Sequence, residues 1–182
     1  KLALLDRHWP DGVRDADASE AFACDICDRA AVDALIGEAA QKMGGIDGVV
    51  SAAGFLDIAP FAELSSQSWD KMLAVNLTGP FNIFKAALPF LQQASRATIV
   101  NIGSVSGLMP MAGTSGYSAS KAAVHMFTKT LALELGPNIR ANTMCPGTIR
   151  SEMTRYLWEN PEHLARASAR AALKRIGDPE EV

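Results

Sequence analysis

Tyr117 and Lys121 lie four residues apart in Tyr117-Ser-Ala-Ser-Lys121, at the start of an apolar-periodic segment. On a helix, that spacing sets a phenol and an ammonium on one face. A phenol titrates near pH 10 in water, so at neutral pH it can donate a proton but is a poor base. A neighbouring cation favours the phenolate. Lowering the pKa to about 7 takes about 4 kcal/mol, more than one exposed ion pair supplies. If Tyr117 exchanges protons with a substrate, its site must be enclosed and must hold further positive charge. The same spacing is common on surface helices, where it marks only an exposed tyrosine and a solvated lysine. The rest of the chain decides between the two.

The elements that must position this pair alternate. Leu2–Asp6 reads as a short buried strand ending on a carboxylate, and Ala21–Cys24 as a second strand after a polar stretch, 7–20. Asp25 and Asp28 offer N-caps to a helix over Ala30–Met43, with Val32, Leu35, Ile36 and Ala39 at helical spacing, stopped by Gly44-Gly45. Ile46–Ala53 is the next strand, closed by Gly54. Ser65 or Ser66 starts a long helix that Pro80 should kink or split. Ala97–Ile102 is a fourth strand, apolar as a strand covered on both faces would be. The Tyr117 helix runs to about Leu135, and a fifth strand, Ile139–Cys145, precedes Pro146-Gly147. Ser151–Leu173 reads as amphipathic helix broken at Pro161.

Strands alternating with helices predict an α/β fold with a parallel sheet and helices on both faces. Ligands in such sheets bind beyond the carboxyl ends of the strands. Asp6, Gly54, Ser104 and Pro146-Gly147 all fall just past strand ends and should line one rim. Both ends of the chain read as cut. An acid ending the second strand of a dinucleotide fold lies about 20 residues beyond a glycine-rich phosphate loop. Asp6 leaves no room for that loop or for a central first strand. Asp178-Pro-Glu-Glu181 is a helix start, with an N-cap, a first-turn proline and acids facing the dipole. The expectation is an incomplete single domain over residues 1–182, an interior portion of a longer protein lacking its first and last strands.

Composition narrows the class. A net charge of -3 disfavours a nucleic-acid or acidic-membrane partner, and no apolar run approaches a membrane span. No signal peptide opens these residues. Three cysteines, an odd number, suit a reducing cytoplasm better than a disulfide framework.

Tyr117-x-x-x-Lys121, preceded by Ser104 in Ile102-Gly-Ser-Val-Ser-Gly107 and by Asn76 in Val75-Asn-Leu-Thr-Gly79, resembles the short-chain dehydrogenase/reductase family. Asp25 after the second strand and Pro146-Gly147 after the fifth complete a resemblance that spans the chain. It implies a Rossmann-type, doubly wound, three-layer α/β/α domain with a substrate lid at about 149–173. It implies that Tyr117 is general acid or base, and that Lys121 lowers its pKa and binds the nicotinamide ribose. Ser104 would stabilise charge on the reacting oxygen, and Asn76 would hold a water linking Lys121 to solvent. An oxidised nicotinamide would supply the further positive charge that Tyr117 requires. Asp25 and the Ile26 backbone would hold adenine; Ala53, Gly54, Pro146 and Gly147 would line the cofactor's path. The Ile149 backbone and the Ser151 hydroxyl would meet the carboxamide.

Asp6 can accept both ribose hydroxyls of NAD, and its charge repels the extra phosphate of NADP. Arg7 blurs this choice, but NAD is favoured. Ser51-Ala52-Ala53-Gly54 departs from the family's Asn-Asn-Ala-Gly, and the loss of an Asn at Ala52 bears on stability more than on chemistry.

Other residues have rival readings. Cys24-x-x-Cys27 lacks the context of a redox pair and the second ligand pair of a zinc site, so no metal is expected. Cys145 and Met144 read as core. His8, His125 and His163 form no ligand spacing, and His125, beside Met126 and Phe127, is placed at a subunit contact. Met109, Met111, Met153, Tyr156 and Trp158 form an apolar substrate face by resemblance, with core packing a close competitor. Helices 66–93 and 117–135 carry apolar residues on more than one stripe. By resemblance they pair across a two-fold axis in a dimer or tetramer.

The function expected is NAD-dependent interconversion of a secondary alcohol and a ketone. Reduction of a 3-oxoacyl thioester with NADPH is the alternative within the same chemistry. A catalytically silent dinucleotide-binding regulator is the alternative of another class, disfavoured by the intact Asn76, Ser104, Tyr117 and Lys121.

Overall fold

The computed structural model describes residues 1–7 and 20–182; His8 and most of the polar stretch after Asp6 lie outside them. The strands are β1 (Ala3–Asp6), β2 (Glu20–Ala23), β3 (Gly48–Ser51), β4 (Ala97–Ile102) and β5 (Ile139–Met144). β1 pairs with β2, and β3, β4 and β5 pair in that order, every ladder parallel. These parallel strands between helices are what the alternating pattern predicts, in the α/β Rossmann-type architecture that the resemblance implies. β1 and β3 are not bonded to each other. A cleft of about 1030 Å³ lies between them, lined by Leu2–Asp6 on one side and Gly48–Ala53 on the other. The expected central strand has no counterpart among the described residues.

The helices follow their end signals. α1 (Arg29–Met43) is capped by Asp28, whose carboxylate accepts the Ala31 amide at 3.1 Å. It ends at Gly44, whose φ of 84° is the left-handed region that glycine enters without strain. Asp25 is not the cap; its Oδ1 accepts the Cys27 amide at 2.9 Å in a local turn. Ser65 caps α2 (Ser66–Leu73), and the Ala74–Thr78 turn that follows is a π turn, leading into α3 (Gly79–Leu91). The predicted break thus falls before Pro80, which sits in the first turn of α3, where its missing N–H is not needed. α4 (Ser115–Leu135) carries Tyr117. The segment after β5 is more broken than its amphipathicity suggests: a 3₁₀ turn, Glu152–Thr154, then α5 (Arg155–Trp158) and α6 (Pro161–Arg170). Asp178 does open a turn, Pro179–Glu181, with a reciprocal capping box to Glu181.

The core is one-sided among the described residues. Val32, Ile36 and Ala40 of α1 meet Ile83, Phe84, Ala87 and Leu91 of α3 over Ile99 and Ala141 of the sheet, with Phe127 and Leu131 of α4 beside them. β4 alternates buried Ala97, Ile99 and Asn101 with half-buried Thr98, Val100 and Ile102. Met144, expected in the core, is exposed: it follows Arg140 and Asn142 onto the sheet face that these helices leave uncovered.

Candidate active site

The carboxyl ends of β4 and β5 build the rim. Beyond the strands, the Gly103 amide donates to the Met144 carbonyl at 2.7 Å and the Val105 amide to the Pro146 carbonyl at 3.1 Å. These two bonds hold Ser104 beside Pro146. Ser104 starts a 3₁₀ turn, Val105–Gly107, and its Oγ accepts the Ser106 amide at 3.1 Å. Opposite it, the first turn of α4 presents Tyr117. Gly116 lets that turn lie against α2, since a Cβ there would sit 2.4 Å from Met72 Cε.

The Ser104 hydroxyl faces the Tyr117 phenol and favours its ionised form. Burial pushes the Tyr117 phenol up, and the Ser104 hydroxyl pulls it back only in part. The protein's own groups therefore hold Tyr117 protonated at neutral pH, the form that donates. Lys121 lies one turn on, buried at 4% exposure, its Nζ 5.8 Å from the Tyr117 ring centroid. Its ammonium donates to the Ile102 carbonyl at 2.7 Å. Burial brings its pKa down to about 8, partly opposed by the Cys145 thiol.

Asn76, 1% exposed, stands in the π turn. Its Oδ1 accepts the Phe55 amide at 2.7 Å, and its Nδ2 donates to the Phe55 carbonyl and to Ser120 Oγ, both at 2.9 Å. Both amide hydrogens are thus committed to protein. The side chain clamps the loop after β3 to α4, and a water held for Lys121 would need the backbone of the turn. Gly54 sits at the junction: a Cβ there would lie 3.7 Å from Asn76 Oδ1 and 3.9 Å from Lys121 Nζ.

The residues expected at a dinucleotide divide into two groups. Asp6, at the exposed end of β1, lines the cleft between β1 and β3 together with Ile26 and Ala53. The Ile26 carbonyl accepts Asn82 Nδ2 at 3.0 Å. Around Gly147 there is open space within 4 Å of an added Cβ. Ile149 bridges to Gly177, and its carbonyl accepts the Thr154 hydroxyl at 2.5 Å. The Ser151 hydroxyl is engaged by Thr154 Oγ1 at 3.3 Å, so it caps its own turn.

Leu56, Ile58, Met153 and Tyr156 line a second, open cavity, about 400 Å³. Met109, Met111, Met153 and Tyr156 are exposed, which separates them from the core. A Cβ on Gly54 would lie 3.4 Å from Met153 Cε and 3.9 Å from Lys121 Nζ, so Met153 brings this cavity toward Lys121. Leu56 and Ile58 were not legible as site residues; a loop of single apolar residues carries no period.

His125 corrects its expected place at a subunit contact. It is buried at 7% exposure, its Nε2 3.3 Å from both the Ser104 amide and Cys145 Sγ. Only the glycines flanking Ser104 hint at this in the sequence. All three cysteines are free thiols, and burial and Asp25 push Cys27 up to about 11, against a redox role. No cluster of metal-ligating side chains occurs among the described residues.

The sequence model of the short chain dehydrogenases matches residues 11–162. A protein of Xanthobacter autotrophicus described as inactive 2-(S)-hydroxypropyl-CoM dehydrogenase 2 is 36% identical over all of this chain and 83% of its own length. The 3-oxoacyl-(acyl-carrier-protein) reductase of Thermotoga maritima is 37% identical over 88% of the chain, which spans 65% of that reductase. Among solved structures, the ligand-free aldohexose dehydrogenase of Thermoplasma acidophilum superposes with a TM-score of 0.92 at 29% identity, over all of this chain and 73% of its own. With the Ser104–Tyr117–Lys121 constellation at the sheet rim, these matches establish that the chain belongs to the short-chain dehydrogenase family, oxidoreductases acting on CH–OH groups.

Proposed function

We propose that the protein interconverts a secondary alcohol and a ketone, with Tyr117 exchanging the proton. The observation that carries this reading is Ser104 facing Tyr117 at the sheet rim, with the buried Lys121 Nζ 5.8 Å from the phenol ring centroid. In oxidation the reacting form is the phenolate, which the positive charge of an oxidised nicotinamide would favour: the hydroxyl proton passes to the Tyr117 oxygen while the carbinol hydrogen leaves as hydride. In reduction, the phenol donates its proton to the carbonyl oxygen, and Ser104 hydrogen-bonds that oxygen as charge builds on it.

A nicotinamide dinucleotide, when bound, supplies the hydride acceptor or donor. The donor set fits such a group: the Asp6 carboxylate suits ribose hydroxyls, the backbone at Gly147 is open, and Lys121 brings a cation beside Tyr117. Asp25 and Ile26 are the proposed adenine contacts; Ala53, Gly54, Pro146, Ile149 and Ser151 complete the path. Asp6 supports NAD over NADP, although a gluconate 5-dehydrogenase structure from Burkholderia cenocepacia, 26% identical with a TM-score of 0.87, is a complex with NADP.

The cavity of Leu56, Ile58, Met153 and Tyr156 supports a substrate whose non-reacting side is apolar. Exposed Phe81, Met126 and Leu133 on α3 and α4 support a homo-oligomer through these helices. Free thiols support a reducing cytoplasm, and no helix among the described residues is long and apolar enough to cross a membrane. The relative described as inactive favours one rival, a silent dinucleotide-binding protein. Steady-state turnover of NAD and NADP with a panel of alcohols and ketones tests the proposal. Calorimetric NAD binding with no turnover of any of them would favour the rival.

A further inference from the structure

His125 lies one turn beyond Lys121 on α4, behind the reacting pair, and the chemistry above does not use it. Its ring is wedged against the glycines that flank Ser104. A Cβ on Gly103 would lie 2.4 Å from His125 Nε2, and one on Gly107 would lie 2.7 Å from Cε1 and 2.8 Å from the α4 backbone at Ala122. Neither position has room for a side chain. Both glycines exist so that the loop can close on this ring and this helix.

In its neutral form the ring has one tautomer that suits its contacts. The Ser104 amide donates to Nε2 at 3.3 Å, so Nε2 must carry a lone pair. The proton of the neutral ring then sits on Nδ1, which is buried with no partner. Burial, Lys121 and Lys129 all hold the imidazole below its ordinary range. The groups facing the ring are those two ammoniums from α4 and the Cys145 thiol after β5; the loop 103–107 contributes no titratable side chain.

We infer that His125 is a positioning residue: its neutral Nε2 anchors the Ser104 amide and so fixes the backbone from which the Ser104 hydroxyl meets Tyr117. The inference rests on the reading of Ser104 and Tyr117 as the reacting pair. Protonation of Nε2 sets two donors face to face, strips the Ser104 amide of its acceptor and frees the loop. A ring that merely filled space would be indifferent to which nitrogen carries the proton.

Two variants and a spectrum test this. In the intact protein, nitrogen NMR of the imidazole should show the Nδ1–H tautomer, remaining neutral below the ordinary histidine range. Hydrogen exchange at the Ser104 amide should quicken about tenfold in H125L, the loss of one hydrogen bond, and return toward wild type in H125Q, whose amide oxygen can accept. With NAD and any alcohol the wild type oxidises, H125L should lose about 10- to 100-fold in kcat through misplacement of Ser104, with the KM for NAD unchanged. H125Q should recover most of that loss, and in ketone reduction it should lack the acid-side fall in rate that the wild type shows. An Nε2–H tautomer, wild-type exchange at Ser104 in H125L, or equal damage in both variants overturns the inference while the family chemistry stands. A wild type that turns over nothing instead defeats the oxidoreductase reading. The tautomer and the exchange rates then still decide whether His125 holds Ser104.

Discussion

The Lys121 ammonium donates to the Ile102 carbonyl at 2.7 Å, so the lysine is tied to the end of β4 and not to Tyr117. Its Nζ stands 5.8 Å from the Tyr117 ring centroid. One hydrogen bond thus fixes a buried cation beside the phenol without consuming the phenol's own bonding capacity, which is left for Ser104 and a substrate.

That burial makes Lys121 a stability group with a definite pH dependence. Its pKa falls from 10.5 to about 8 on folding. Between these values the unfolded chain binds more protons, so stability rises with pH across that window and is lost again as pH falls toward 8. The wild type should gain on the order of 1–3 kcal/mol relative to Lys121→Met between pH 8 and pH 10. Denaturant midpoints of both proteins across that range check it; parallel curves contradict it.

Asn76 is predicted to matter for the fold at least as much as for turnover. Asn76→Ala orphans the Phe55 amide and carbonyl and removes the bond to Ser120. The expected loss is about 2–4 kcal/mol, read from equilibrium unfolding. Ser120→Ala removes one of those partners and should cost about 1 kcal/mol.

Asp6→Ser should shift cofactor choice. Removing the carboxylate at the end of β1 takes away an acceptor for ribose hydroxyls and a charge that repels a phosphate. The ratio of kcat/KM for NAD over NADP should fall about tenfold or more, equivalent to 1.4 kcal/mol. An unchanged ratio removes Asp6 from the cofactor site.

Tyr156→Ala should alter substrate rank. The cavity it shares with Leu56, Ile58 and Met153 loses one wall. Against a small alcohol, kcat/KM for an alcohol with a bulky apolar group should drop about 10- to 100-fold. Equal losses for both alcohols would place the substrate elsewhere.

What the sequence made legible follows from what has a period or a local cap. Asp28, Gly44 and Ser65 announce helix ends through backbone chemistry, and Tyr117 and Lys121 share a helix face, so these positions could be read directly. Ser104 and Gly54 were placed at the rim because parallel strands put their carboxyl ends on one side. The π turn at Asn76 was legible only as a break near Pro80, because nothing local distinguishes a widened turn from a kink. His125 was misplaced because its partner, the Ser104 amide, lies 21 residues away and is chosen by tertiary packing. Met144 was misplaced because its apolarity says nothing about which sheet face the helices cover.

The central claim is that Tyr117 carries the proton, and Tyr117→Phe tests it most directly. The phenylalanine keeps the ring and deletes only the hydroxyl that faces Ser104. With NAD and an alcohol that the wild type oxidises, kcat should fall about 10²- to 10⁴-fold, while the KM for NAD and the unfolding midpoint hold. A folded Tyr117→Phe protein turning over at the wild-type rate would contradict the account.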